Sequence, residues 1–141
     1  QWAVSPGFLL GASATLAHAE EVDTGLRLPQ APKWSASVNA RYDYELGSSD
    51  LLLRTEAVLN HRDEQYQQAG ERSLDGPLTL LNLRLALMPN AGNWELALMG
   101  RNLLDQVSSF GFTFPIFGDE DTPMGSLNRP RTVAIQARYN F

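Results

Sequence analysis

Arg131-Thr132-Val133-Ala134-Ile135-Gln136-Ala137-Arg138-Tyr139-Asn140-Phe141 closes the chain. In an extended strand, Val133, Ile135, Ala137, Tyr139 and Phe141 share one face, and Thr132, Gln136, Arg138 and Asn140 share the other. The stretch stops on an aromatic residue without a polar tail, whereas the ends of soluble domains commonly fray into water. Strands that cross a membrane alternate in this way, apolar toward lipid and polar toward a lumen, with aromatics at the interfaces.

The same period of two recurs upstream. Trp34, Ala36, Val38, Ala40, Tyr42, Tyr44 and Leu46 oppose Ser35, Ser37, Asn39, Arg41, Asp43 and Glu45. Phe8, Leu10, Ala12, Ala14 and Leu16 oppose Gly11, Ser13 and Thr15; Leu51, Leu53, Ala57 and Leu59 oppose Arg54, Glu56 and Asn60. Leu81, Leu83, Leu85 and Leu87 oppose Asn82 and Arg84, and Trp94, Leu96 and Leu98 oppose Glu95 and Arg101. At a helical step of about 100° per residue, Arg41, Asp43 and Glu45 would scatter around the cylinder, so a strand explains the pattern and a helix does not.

These strands are long. Twelve residues at about 3.3 Å each, tilted near 45°, climb roughly 28 Å, close to the apolar band of an outer-membrane barrel. The connections alternate in length. Ser5-Pro6-Gly7, Gly47-Ser48-Ser49 and Pro89-Asn90-Ala91-Gly92 are short and rich in turn formers, while residues 20–32, 63–77 and 105–130 make long loops. In a meander all the long loops leave by one end and all the short turns by the other, the asymmetry of outer-membrane barrels. Trp2, Phe8, Tyr42, Tyr44, Trp94, Tyr139 and Phe141 gather near the short-turn end, and Trp34 lies near the opposite end. A girdle of aromatics at the headgroup level predicts that placement, whereas a soluble sandwich would bury its aromatics mid-strand.

Composition narrows the function. The chain has 141 residues, 43% of them hydrophobic, which suits one packed unit rather than disorder. A net charge of −5 without any basic run argues against nucleic acid as a partner. Cysteine is absent, which excludes disulfide scaffolds and thiolate metal sites. No apolar stretch approaches the roughly 18 residues of a membrane helix, so any span is made of strands. Gln1, with no initiator Met or leader, reads as an interior cut.

Three motifs then carry a resemblance. Ala31-Pro32-Lys33-Trp34 opens a strand, Trp94-Glu95-Leu96 leads into Gly100-Arg101-Asn102-Leu103-Leu104-Asp105, and Asn128-Arg129-Pro130-Arg131-Thr132 precedes the last strand. Their order, with the terminal Phe, resembles the C-terminal part of a TonB-dependent outer-membrane receptor over essentially the whole chain. The resemblance implies an all-β, antiparallel, up-and-down transmembrane barrel segment. It implies about six full strands and the tail of another, out of a barrel described as 22-stranded, with the plug domain and the N-terminal part absent. It places the chain in the bacterial outer membrane. The partners it implies are outer-membrane lipid, the rest of the barrel and its plug, TonB indirectly, and the barrel assembly machinery, which reads Tyr139 and Phe141 as an assembly signal. About eight strands are needed to close a barrel, so this segment alone is an open, curved sheet with two free edges.

Catalysis has little support in the sequence, and neither an enzymatic activity nor a cofactor is expected. His18 and His61 sit at strand ends without ligand spacing, and no phosphate loop or nucleophile motif is present. Asp119-Glu120-Asp121 offers carboxylates to a hard cation but lacks the alternate spacing of a calcium loop, which favours a solvated loop tip. Phe110, Phe112, Phe114 and Phe117 alternate in the last long loop. They fit either a strand pair extended above the membrane, packed on neighbouring loops, or an apolar lip that contacts a captured ligand. The polar face carries Arg41, Asp43, Glu45, Arg54, Glu56, Arg62, Arg84, Glu95, Arg101 and Arg138, a ladder of ion pairs that also offers a surface for guiding substrate or docking a plug.

The expected function is TonB-coupled uptake of a scarce nutrient, the resemblance implying a ferric siderophore, haem, cobalamin or an oligosaccharide. Two alternatives stand beside it: a porin-like or structural barrel without TonB coupling, and, more distantly, a soluble carbohydrate-binding β-sandwich.

Overall fold

The computed structural model describes residues 2–47, 49–113 and 123–141. Among them the chain forms eleven strands: β1 (Trp2–Ser5), β2 (Phe8–Leu16), β3 (Trp34–Glu45), β4 (Leu51–Arg62), β5 (Gln65–Gln68), β6 (Arg72–Asp75), β7 (Leu78–Pro89), β8 (Trp94–Arg101), β9 (Ser109–Thr113), β10 (Pro123–Leu127) and β11 (Thr132–Tyr139). Seven of them make one antiparallel sheet in the order β1-β2-β3-β4-β7-β8-β11. The expected up-and-down meander is the architecture found. The two remaining hairpins, β5–β6 and β9–β10, are small separate sheets inserted in the second and third long loops.

Register follows from the alternation, because a slip of one residue would send every apolar side chain to the charged face. Val38 pairs with Leu59, Ala40 with Ala57 and Tyr44 with Leu53, while Arg41 pairs with Glu56 and Asp43 with Arg54. Leu59 continues to Leu81, and Glu56 to Arg84. Leu85 meets Leu98, which meets Ile135. One face is therefore a continuous apolar band and the other a continuous polar one. The turn that joins β1 to β2 depends on Gly7, whose φ is +77° and whose absent Cβ would lie 2.5 Å from the Asp43 carbonyl oxygen. Asp43 N–H donates to Gly7 O at 2.8 Å across that approach.

No second layer covers the apolar face. The chain exposes 9854 Å², against about 7,300 Å² for a globular protein of its mass. Val38, Tyr42, Leu85, Leu98 and Ile135 are all exposed, Ile135 at 77%. Among the described residues the buried hydrophobic side chains are Ala86 and Ala97, and both lie on the polar face. In water such a band would be an aggregation surface; against acyl chains it is satisfied. Among the described residues no helix is long and apolar enough to cross a membrane.

Aromatics cluster at the short-turn end as expected. Phe8 meets Tyr42 edge-on at 6.2 Å, Tyr42 stacks on Tyr44 at 6.3 Å, and Tyr139 meets Phe141 edge-on at 5.2 Å. At the other end Trp34 stacks on His61 at 4.4 Å, and His61 Nδ1 lies 2.8 Å from Thr79 Oγ1.

The last long loop departs from a simple prolongation of its flanking strands. The β8–β11 ladder stops at the Arg101–Thr132 pair, and β9–β10 forms a ladder of its own from Ser109–Leu127 to Thr113–Pro123. The break is local and conformational: Asn102 and Asp105 take φ of +49° and +53°, which no strand tolerates.

Candidate functional site

Two groups of polar side chains stand out, one along the charged face of the wall and one at the base of the long loops.

On the wall, alternation points the charges the same way and the register sets opposite signs beside each other. Asp43 accepts from Arg54 Nε at 2.8 Å and from Arg41 Nη2 at 2.6 Å. Arg84 donates through Nη1 to Glu56 at 2.9 Å and through Nη2 to Glu95 at 2.5 Å. An open trough of about 550 Å³ runs along this face, lined by Asn39, Arg41, Glu56, Asn82, Arg84 and Arg101 among others. These pairs are half-buried but open to the trough, and an exposed pair contributes on the order of 0–1 kcal/mol, so the ladder supplies order and a polar lining more than stability. Glu45, Arg101 and Arg138 have no ion-pair partner among the described residues.

The loop bases are built differently, around buried polar groups. In the segment Gly100-Arg101-Asn102-Leu103-Leu104-Asp105, Gly100, Asn102 and Asp105 have identifiable physical tasks. Gly100 leaves room for Leu103, whose Cδ2 would lie 2.7 Å from a Cβ there. Asn102, buried, is a hub: its N–H donates to Asn82 Oδ1 at 3.0 Å, and its Nδ2 donates to the carbonyls of Gln106 at 2.9 Å and Arg129 at 3.1 Å. Its Oδ1 accepts from Gln106 N–H at 3.1 Å. Asp105 accepts from Arg131 N–H at 3.0 Å, which joins the start of the loop to its end. Asn128 reinforces the closure, accepting from Ser108 N–H at 2.8 Å and donating to Gln106 O at 3.0 Å. Asn tolerates a positive φ better than other residues with a side chain, so it can turn the backbone and satisfy it at once.

The second base is ionic. Arg62, the last residue of β4, donates through Nη2 to Asp75 Oδ2 and, at 2.8 Å, to Ser108 Oγ. Ser108 Oγ donates to the same Asp75 oxygen at 2.8 Å, and Gln67 Nε2 does so at 3.0 Å. The side chains of this group are withdrawn from water, Asp75 being 7% and Ser108 3% exposed.

Of the residues singled out from sequence, Phe110 and Phe112 lie on β9, paired with Ser126 and Met124. Phe114 and Phe117 lie outside the described residues, as do Asp119, Glu120 and Asp121. Tyr139 and Phe141 are exposed on the apolar side and touch each other. His18 lies beside Glu20 at 3.4 Å, and His61 is occupied by Trp34 and Thr79. Among the described residues no group of three metal-binding side chains forms. Asp75, Gln67, Ser108 and Gln106 escaped notice in the sequence because loop residues that meet across a fold carry no periodicity. Asn102 and Asp105 were visible as a motif, but their task was not.

No family model matches the chain, and no curated protein matches it. Among solved structures it is similar to the ferric yersiniabactin uptake receptor FyuA from Yersinia pestis, with a TM-score of 0.86 at 18% identity over 99% of this chain. The chain spans 22% of the length of that receptor chain. The fold expected from sequence is thus the fold found: an antiparallel, up-and-down sheet of seven strands, shared with a segment of that receptor.

Proposed function

We propose that this chain is the C-terminal wall of an outer-membrane receptor that imports a scarce nutrient, with energy supplied through TonB. The observation that carries it is the combination of a lipid-facing apolar band, an ion-paired inner face, and buried loop bases on one end, in a fold matched over 99% of the chain by a ferric yersiniabactin uptake receptor. A ferric siderophore is the favoured substrate class, ahead of haem, cobalamin and oligosaccharides. The partners proposed with it are the remaining barrel strands, a plug domain held against the charged inner face, TonB through that plug, outer-membrane lipid, and the barrel assembly machinery acting on Tyr139 and Phe141. In the last loop, Phe110 and Phe112 are proposed to contact ligand.

The test is uptake of a panel of radiolabelled ferric siderophores by cells that express the full-length receptor, with and without TonB. Accumulation that needs both supports the proposal. Accumulation that persists without TonB identifies a passive barrel, and none with any member of the panel removes ferric siderophores as the substrate class.

A further inference from the structure

The β5–β6 hairpin is braced on both sides by neighbouring loops. On one side Arg27 sits 5.2 Å above the Tyr66 ring, and its guanidinium donates to Glu64 Oε1 at 3.4 Å and Glu64 O at 3.2 Å. Gln30 N–H donates to Tyr66 O at 2.7 Å. On the other side the hairpin lies against β9. Below it, Arg62, Asp75 and Ser108 form a closed triangle of hydrogen bonds that joins the end of β4, the end of the hairpin, and the base of the last loop. Arg62 Nη1 adds bonds to the carbonyls of Asp63 and Gly76, both at 3.2 Å, so the guanidinium clasps both ends of the hairpin segment.

One oxygen, Asp75 Oδ2, takes donors from all three places: Arg62, Gln67 and Ser108. A buried charge that loses a partner is left uncompensated, which costs far more than an exposed pair contributes. The hairpin therefore cannot lift from the wall while Ser108 stays in place without stranding Arg62, and Ser108 cannot leave without weakening the hold on Asp75. Networks of this kind behave as units because each bond polarises the next.

We propose that Asp75 is a positioning residue that couples the β5–β6 hairpin to the base of the last loop, so that the two segments order and release together. A contact made by a substrate on one segment is then felt by the other. This rests on the reading that these loops form a substrate entrance, but the coupling itself is measurable without any substrate.

The experiment is amide hydrogen exchange on the full-length receptor in detergent micelles, comparing wild type, Asp75→Asn, Ser108→Ala and the double variant. In Asp75→Asn, exchange should rise at least about tenfold in residues 65–75 and also in 105–108, with 81–87 unchanged. Ser108→Ala, which removes only a hydroxyl, should loosen residues 65–75 several-fold, and the double variant should exceed Asp75→Asn little, since both break one network. Should Asp75→Asn fail to assemble, the Ser108→Ala result decides alone. Loosening confined to the mutated segment, additive effects in the double variant, or loosening that spreads into 81–87 would each overturn the coupling. Because no ligand is present, such a result leaves the uptake proposal untouched, and a failed uptake assay leaves the coupling untouched.

Discussion

Arg84 on β7 and Glu95 on β8 meet at 2.5 Å, although the register sets Arg84 opposite Met99 and leaves Ala97 between them. The Ala86–Ala97 pair lies between the two residues in the register, on the same face, and those alanines are 0% and 1% exposed. Small side chains at these positions make the bridge possible. The contact is diagonal, so it joins neighbouring strands at different heights and resists sliding of one past the other.

Replacing Ala97 with Leu should lift Arg84 away from Glu95 and cost about 1–3 kcal/mol by overpacking. Ala137→Leu, on the apolar face opposite Leu96, should be nearly neutral. The temperature at which the intact receptor loses its folded mobility on SDS gels compares the two, and equal shifts would show that the bridge does not constrain Ala97.

Spin labels should report the two faces directly. Labels at Val38 and Tyr42 should be relaxed strongly by a lipid-soluble quencher, and labels at Asn39 and Arg41 weakly. An arginine forced to face the bilayer midplane costs about 2–4 kcal/mol, which holds the register in place. Stronger quenching at 39 than at 38 would mean the register is shifted by one.

Asn102→Ala should destabilise the base of the last loop by about 2–4 kcal/mol, since it strands buried partners and keeps a side chain at a positive φ. Asn102→Gly relieves the backbone but not the lost hydrogen bonds, so it should recover only part of the loss. Hydrogen exchange at residues 105–108 reads the difference; full recovery in the glycine variant would assign the whole effect to backbone strain.

Phe141→Asp should lower outer-membrane yield of the full receptor far more than Asn140→Ala. Asn140 prolongs the β11–β8 ladder through its N–H to Asn93 O at 2.9 Å, a bond that Ala retains, and Ala loses only the exposed bond from Asn140 Nδ2 to Gly92 O at 3.3 Å; Phe141 offers an exposed ring beside Tyr139. Heat-modifiable band intensity measures the yield. Comparable losses would indicate that the terminal ring carries no special weight in assembly.

Phe110→Ser and Phe112→Ser together should weaken ligand capture by purified receptor at least about tenfold while thermal unfolding stays near wild type, as expected of binding residues carried by a loop on a rigid scaffold. Normal affinity with a lowered unfolding temperature would assign them to packing instead.

The division between what the chain order dictates and what folding adds is visible in individual residues. Val38 beside Asn39, or Leu85 beside Arg84, needs no partner to be read: a period of two with one apolar side selects a strand between lipid and a polar interior. Loop and turn lengths then set the meander, and the aromatics at its short-turn end mark an interface. Even the pairing of Asp43 with Arg54 follows once β3 and β4 are read as a hairpin with a short connection, because hairpin geometry carries register along the ladder. The loop bases obey no such local rule. Asp75 and Ser108 lie in different loops, and nothing in either segment announces the other; they meet because the wall brings the ends of β4 and β8 to the same side. Asn102 stood out as a motif member, yet its role as a hub depends on Gln106 and Arg129 arriving from the far side of the loop. Periodic burial is written into a strand one residue at a time, whereas a buried polar cluster exists only when segments distant in sequence are closed upon one another and must satisfy each other's donors and acceptors in the absence of water.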